Sequence, residues 1–261
     1  MVVRDADVVQ QLRRAGVVIL GKASLNEWYG VRSSEIPDAW CVRGGQVVQL
    51  LVGQVRSGLA ISAAANLIAV ALGTETNGSI LCPASSNSIS PRQDTIGTVS
   101  DAVYVLDAIT GFDYNDNATE DALKYIPRGG YKQFLNAHRL KEEEKIKEFG
   151  QDIFLAFQAT NGIGNKEKAA LLNLEKLSGD GFKKLISKIS LDALVTPDSD
   201  AAHVLAIGGF LGISVPAGYD NKAVPFGITF GGLKGSEPTL IEIAHGFELA
   251  TKIREPPSFK P

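Results

Sequence analysis

The chain has few of the residues that build metal centres and disulfide frameworks. Its 261 residues include three histidines and two cysteines. The histidines stand far apart in sequence and form no zinc motif. Cys41 and Cys82 are too few for a disulfide framework or a zinc cluster. We therefore expect no metal site, and a reducing compartment is the default.

The chain also lacks an excess of charge of one sign and a long apolar run. Its net charge of −3 gives no electrostatic reason to expect nucleic acid or an anionic membrane as a partner. The most apolar run, residues 59–73, is too short and too often interrupted to span a bilayer. The first 16 residues carry acids and do not resemble a signal peptide. The cytoplasm is therefore the default expectation.

The start of the chain predicts a helix followed by a strand. Residues 5–16 begin with acids and end with Arg13, Arg14 and a glycine, which suits the helix dipole. The β-branched run at 17–20 follows at once, as in the αβ units of open parallel sheets. This places Lys22 at the carboxyl end of the strand, where ligands of α/β sheets tend to bind.

The remaining pattern predicts an α/β fold with a mixed sheet covered by helices. No boundary is evident, so one domain is expected over residues 1–261. The helix at 98–111 is expected to start at Ser100 as N-cap and to end at Gly111. Further helices are predicted at 57–72, 139–162, 165–190 (two helices) and 237–253, and strands at 191–197, 212–219 and 225–232.

One polar turn follows the long apolar run. Residues 73–83 read "GTETNGSILCP", with Ser79 directly after a glycine. Ser and Asn are ordinary residues where a helix ends. The same turn also suits a nucleophile whose neighbouring backbone N–H groups face an oxyanion. From this stretch alone, the helix-end interpretation is favoured.

Lys22 also has two interpretations. A lysine after a strand is most often solvated. A desolvated lysine, in contrast, can be neutral near pH 7 and act as a base. Because no histidine is well placed in sequence to serve a serine nucleophile, a Ser/Lys arrangement stays open.

Several segments together resemble the amidase signature family, and most closely its plant members. The resemblance covers most of the chain in pieces, and its central block is long and specific. It implies an α/β/α sandwich around a mixed sheet, reduced in extent here. The matching segments are "GKASLNEWYGVRSS" (21–34), "WCVRGGQ" (40–46), "SGLAISAAANLIAVALGTETNGSILCPASSNS" (57–88) and the region 191–253.

The resemblance also implies site residues. The family hydrolyses amides with a Ser–cis-Ser–Lys triad and needs no metal or cofactor. Lys22 matches the family lysine, and Ser79 matches the nucleophile. Backbone N–H groups of Thr76, Asn77, Gly78 and Ser79 would form the oxyanion hole. The partner implied is a small-molecule amide.

The chain departs from the family pattern at the glycine/serine loop. Residues 54–59 read "QVRSGL", where the family has a G-S-S-S-G-S type of loop. An ungapped comparison puts the bridging serine at Val55, which has no proton to relay. Ser57 is the nearby hydroxyl that could replace it. Several internal segments are also shorter than in the family.

Two functions follow from these observations. The first is hydrolysis of a carboxylic amide by a Ser/Ser/Lys mechanism, impaired because Val55 holds the middle position. The second is a catalytically inactive relative, such as a pseudoenzyme, a splice form or a gene-model fragment, with a binding role or none. The residue at position 55 is the sequence feature that separates them.

We predict no measurable hydrolysis of simple aryl or fatty amides by the unmodified chain. Loss of one member of a catalytic unit costs on the order of 10⁴-fold in rate. Val55→Ser alone should restore little, because Gln54 and Arg56 also depart from the loop. Turnover by the unmodified chain that Lys22→Ala abolishes would show that the relay is complete without a serine at position 55.

Overall fold

The structure, a computed structural model, describes residues 5–37, 40–46, 58–87, 90–92, 95–109, 145–160 and 162–255. The chain divides into two compact units. The first comprises residues 1–47 and 105–160, and the second comprises residues 48–104 and 161–261. Both are discontinuous, since the chain leaves the first unit after residue 47 and returns to it at residue 105. The expectation of one domain over residues 1–261 stays a prediction.

The described residues form helices and strands in both units. In chain order they are α1 (Asp7–Arg14), β1 (Trp40–Cys41), β2 (Gly45–Gln46), α2 (Gly58–Ala64), β3 (Ala71–Leu72), α3 (Leu81–Ser85), β4 (Ser90–Arg92), β5 (Thr95–Gly97), α4 (Val99–Ile109), α5 (Ile146–Phe149), α6 (Asp152–Gln158), α7 (Asn165–Ser178), α8 (Lys184–Ile189), β6 (Leu194–Pro197), α9 (Ala202–Gly208), β7 (Leu211–Tyr219), β8 (Pro225–Gly232) and α10 (Glu237–Thr251).

The first unit contains the predicted N-terminal helix but not the strand after it. Residues 17–20 adopt no regular structure, and Val18 and Leu20 are 79% and 71% exposed. A β-branched run is a strand only where a neighbouring strand completes its hydrogen bonds. No described strand pairs with this segment, so the predicted αβ unit is wrong here. Lys22 follows an exposed, irregular segment.

Aromatic packing holds the described parts of the first unit together. Trp40 of β1 meets Phe149 edge-on, with ring centroids 5.1 Å apart. Trp28, in a short 3₁₀ helix, meets Phe154 of α6 in the same manner at 6.0 Å. Such edge-to-face pairs stabilise a fold by about 0.5–1.5 kcal/mol beyond the area that they bury.

The second unit is built on a six-stranded sheet in the order β3-β5-β4-β7-β8-β6. The α/β class is as predicted, and so are the strands at β6, β7 and β8. The sequence predicted a mixed sheet, whereas all five pairings between the described strands of this sheet are antiparallel. The pair β7–β8 is consecutive in sequence, and a short turn at residues 220–224 joins antiparallel strands directly.

Three apolar clusters form the core of the second unit. One lies between α2, β3 and α3 and is rich in alanine, a second joins α3 to α8 and α9, and a third joins the sheet to α10. The buried members are Ala60, Ala63, Ala64, Ala71, Ile80 and Ala84 in the first, Leu81, Phe182, Ile186, Ala201, Ala202, Leu205 and Phe210 in the second, and Val99, Ile213, Val215, Phe230, Leu240 and Ala244 in the third.

The long helix predicted at 57–72 is much shorter in the structure. It ends at Ala64, and the chain enters β3 at Ala71. Asn66 has a left-handed backbone, with φ of 54°, which stops a right-handed helix. The Arg254 guanidinium donates hydrogen bonds to the Ala63 carbonyl at 3.3 Å and to Asn66 Oδ1 at 3.2 Å. An arginine distant in sequence thus binds acceptors at the end of this helix. The periodicity of the local sequence does not reveal such a contact.

Other helix ends also differ from the predictions. Thr98, not Ser100, caps α4: Thr98 Oγ1 accepts the Asp101 N–H at 3.1 Å, and Asp101 Oδ2 accepts the Thr98 N–H at 3.0 Å. This exchange satisfies N–H groups at the helix start. The predicted C-cap Gly111 lies outside the described residues. Gly150, with φ of 66°, divides the helix predicted at 139–162.

Asp152 at the start of α6 generates a pH prediction. Hydrogen bonds from the Ser33 and Ser34 side chains lower the pKa of the Asp152 carboxyl from 3.8 to about 2. A carboxyl with a depressed pKa adds stability above its unfolded pKa and loses it as the pH falls through the folded pKa. We expect Asp152→Asn to lower the Tm at pH 7. The deficit should shrink below pH 4 and vanish only below pH 2.

The measurement is the Tm of both proteins from pH 7 down to the lowest pH at which they unfold reversibly. Glu35→Gln is the matched control, because Glu35 is an exposed carboxylate in the same unit. A Tm difference that stays constant over this pH range would contradict the assignment of the effect to the Asp152 charge.

Candidate active site

The turn before α3 presents Ser79 to solvent. Ser79 is exposed and follows Gly78, whose φ of 78° is in the left-handed region. The Gly78 carbonyl accepts the Cys82 N–H at 3.0 Å, so the helical hydrogen bonding of α3 starts inside the turn. A side chain at Gly78 would be strained by this backbone, which accounts for glycine directly before the serine.

Two buried residues hold the turn from the side of α3. Ile80 and Leu81 are both 0% exposed. Ile80 packs in the alanine-rich cluster, and Leu81 packs in the cluster formed with α8 and α9. Neighbouring residues that are buried in different clusters fix the direction of the chain between them. Ser79 is therefore an exposed residue on a rigidly anchored backbone.

The Glu75 carboxylate at the start of the turn accepts hydrogen bonds from backbone N–H groups at its end. Its Oε2 accepts the N–H groups of Ile80 at 2.6 Å and Leu81 at 2.8 Å. These N–H groups stand at the start of α3, where no carbonyl within the helix can accept them. A charged acceptor makes hydrogen bonds about twice as strong as a neutral one. Glu75 therefore removes two donors from the turn and stiffens it.

The donors that remain are the backbone N–H groups of the four residues before Ile80. Within the part of the chain that the structure describes, the N–H groups of Thr76, Asn77, Gly78 and Ser79 make no hydrogen bond. The family resemblance implies an oxyanion hole at these four residues. The structure brings them together on one turn with the exposed serine. Unused donors beside a hydroxyl can stabilise an oxygen anion that forms during an attack on a carbonyl.

His203 is a candidate site residue that no local sequence pattern indicates. Its Nδ1 lies 2.7 Å from Asn77 Oδ1. It lies on α9, a helix that was not predicted, and a Cβ placed on Gly78 would lie 3.6 Å from the Ala202 Cβ of that helix. His203 and Asn77 are 126 residues apart, and no local motif connects them. Only the three-dimensional structure could identify this contact.

The far end of α3 is fixed to the sheet by a polar network. The buried Ser85 hydroxyl donates to Asp198 Oδ1 at 2.5 Å and accepts the Gly227 N–H at 2.9 Å. A Cβ at Gly227 would lie 2.8 Å from Ser85 Oγ and 2.9 Å from the Val215 carbonyl oxygen. Glycine at position 227 therefore lets α3 approach the sheet closely, and the network sets the position of the helix that follows Ser79.

The other predicted site residues are not part of this turn. Lys22 belongs to the first unit and is exposed. Ser57 and Val55 lie outside the described residues.

The described residues contain no group of three or more His, Cys, Asp or Glu side chains suited to a metal ion. Among the same residues, no helix has the length and apolarity needed to cross a membrane.

Comparison with known proteins identifies the family. An amidase family profile matches residues 2–108. The chain is 42% identical to a probable amidase of Arabidopsis thaliana, in an alignment that covers 99% of this chain and 73% of the relative. The chain belongs to the amidase family. It also resembles the structure of a peptide amidase from Stenotrophomonas maltophilia, with a TM-score of 0.82 and 26% identity over 98% of this chain and 78% of that one. The expected amidase-signature α/β fold is therefore confirmed.

The comparisons also show internal gaps. The alignment with the Arabidopsis relative extends over 372 positions, whereas this chain has 261 residues. More than a hundred positions of the aligned region, roughly the size of a small domain, thus have no counterpart here. A putative amidase of Schizosaccharomyces pombe is 41% identical over 52% of this chain, which spans 28% of that relative.

The Glu75 contacts generate a stability prediction. Glu75→Ala leaves the N–H groups of two fully buried residues without an acceptor, so it should cost about 1–3 kcal/mol in free energy of unfolding. Glu75→Gln should cost less, because its amide oxygen still accepts. Urea denaturation measures both variants. Glu242→Ala, at an exposed position on α10, is the control, and an equal loss in Glu75→Ala and Glu242→Ala would contradict the role of Glu75.

Proposed function

We propose that the chain acts on carboxylic amides with Ser79 as the nucleophile, and that its turnover is impaired. The observation that carries this proposal is the turn at residues 76–79. It combines an exposed serine, four backbone N–H groups without acceptors in the described part of the chain, and an anchored backbone. The membership of the amidase family gives the reaction class. The substrate proposed is a small linear amide.

The geometry of the turn supports the following reaction. Ser79 Oγ attacks the amide carbon, and the carbonyl oxygen becomes an oxyanion that the N–H groups of Thr76, Asn77 and Gly78 can stabilise. The C–N bond then breaks, the amine leaves with a proton, and an acyl-enzyme ester remains on Ser79. Water hydrolyses this ester and regenerates the serine.

The proton transfers are the impaired part of this mechanism. Lys22 is the proposed base, and it would take the Ser79 proton through a bridging hydroxyl. Val55 stands at the bridging position and cannot transfer a proton. Ser57 is the proposed substitute. Without an efficient relay, the serine keeps the low reactivity of an ordinary alcohol.

The second candidate is a catalytically inactive member of the family. Two observations favour it: the valine at position 55, and the many positions of the plant relative without a counterpart in this chain. Such a protein could still bind an amide at the turn. The two candidates differ in the reactivity of Ser79, which can be measured without turnover.

We expect a fluorophosphonate probe to react slowly with Ser79. The Ser79 oxygen bonds to phosphorus, fluoride leaves, and the phosphoryl oxygen accepts hydrogen bonds from the turn. Intact mass and peptide mapping identify the labelled residue. Ser79→Ala should abolish the adduct, whereas Ser86→Ala, which removes another serine near α3, should keep it. An adduct at another serine with none at Ser79 would refute the nucleophile assignment.

Lys22 is tested in the same assay. Lys22→Ala should slow labelling if the relay retains any function, and should leave its rate unchanged in an inactive relative. A rebuilt loop with Gln54→Gly, Val55→Ser and Arg56→Ser should accelerate labelling only when Lys22 is present. Leu59 is best kept as it is, because it packs against the alanine-rich cluster and a serine there would cost core packing.

A further inference from the structure

We propose that His203 is a positioning residue for the turn that carries Ser79 (residues 75–81), which we call the nucleophile turn. Its imidazole holds the Asn77 side chain and so keeps the N–H groups of Asn77 and Gly78 directed at the developing oxyanion. This inference rests on the proposed function of Ser79. It adds a residue on α9 to a site otherwise built from the turn at residues 75–81.

The contact itself is a short hydrogen bond between distant parts of the second unit. His203 Nδ1 and Asn77 Oδ1 are 2.7 Å apart. With the amide oxygen as acceptor, Nδ1 carries the proton and donates it. The side chain that receives this bond belongs to one of the residues whose backbone N–H makes no hydrogen bond in the described part of the chain.

The helix that carries His203 is itself fixed against the turn. Ala202 and Leu205 of α9 are buried in the same cluster as Leu81. A Cβ at Gly78 would lie in ordinary contact with Ala202, at 3.6 Å. The imidazole therefore projects from a backbone that is packed against the turn, so it can restrain Asn77 and does not merely follow its motion.

His203 and Glu75 restrain the parts of the turn before and after Ser79. Glu75 binds the N–H groups after Ser79, and His203 binds a side chain before it. Without the imidazole, the peptide units around Asn77 lose their described restraint on that side. Donors that must reorient during the reaction stabilise the transition state less than donors already in place. The loss should therefore appear in the chemical step and not in binding.

The test is saturation kinetics of fluorophosphonate labelling at Ser79, which separates the maximal rate of labelling from the half-saturating probe concentration. We expect His203→Ala to lower the maximal rate about threefold to tenfold, the range for one hydrogen bond, with half-saturation unchanged. His203→Asn should restore most of the rate, because its amide can pair with Asn77. Val204→Ala, at an exposed position on the same helix, is the control.

Three results would overturn the proposal. One is an unchanged maximal rate in a folded His203→Ala protein. Another is a loss that His203→Asn does not restore, which would mean that the imidazole itself handles a proton. The third comes from a double-mutant cycle with Asn77→Ala, which keeps the backbone N–H. If His203→Ala costs the same in that background, His203 does not act through Asn77.

If the wild-type protein is not labelled at Ser79, a separate measurement tests the positioning role of His203. That result would refute the proposed function alone. The ¹H–¹⁵N resonances of Asn77, Gly78 and Ser79 should still shift in His203→Ala, remain near wild type in His203→Asn, and not respond to Val204→Ala. Unchanged resonances in His203→Ala would overturn the positioning role.

Discussion

The candidate site depends on the junction between Ser79 and the two buried residues after it. Ile80 and Leu81 have no exposed surface, and they belong to different core clusters. Burial of two such side chains stabilises the fold by about 1.5–3 kcal/mol each, and it fixes the chain direction where the turn enters α3. The buried N–H groups of these residues need an acceptor, and the Glu75 carboxylate supplies it. One acidic side chain thus makes an exposed serine compatible with a fully buried helix start.

The surrounding structure extends this restraint in two directions. On one side, Ser85 connects the end of α3 to Asp198 and to the backbone of Gly227 in β8. On the other side, α9 packs against Gly78 and brings His203 to Asn77. The nucleophile turn is therefore held at its start, at its end and through the helix that follows it. Preorganised backbone donors require such restraint, and the turn is present in a chain that lacks many positions of its plant relative.

The segment before Lys22 in the first unit is less well packed than the nucleophile turn is within the second unit. The described residues of the first unit include an exposed apolar segment at 17–20, separated from Lys22 by Gly21. Apolar β-branched residues without a neighbouring strand gain neither ladder hydrogen bonds nor burial. The nucleophile turn is thus well packed within its own unit, whereas the segment that leads to the proposed base is not. The proposed function, a retained nucleophile turn with impaired turnover, is a proposal that draws on both features.

The sequence by itself determined the features that depend on local chemistry. The acids and arginines at the ends of α1, the motif at residues 73–83 and the other segments that resemble the amidase signature family led to the α/β class, the family and the candidate serine. Segment pairing and helix ends depend on distant partners. Arg254 donates hydrogen bonds at the end of α2, to the Ala63 carbonyl and to Asn66. The run at 17–20 is not a strand because no described strand pairs with it. His203 reaches Asn77 across 126 residues. Only the tertiary structure could decide these features, because hydrogen bonds and packing between distant residues leave no local pattern in the chain.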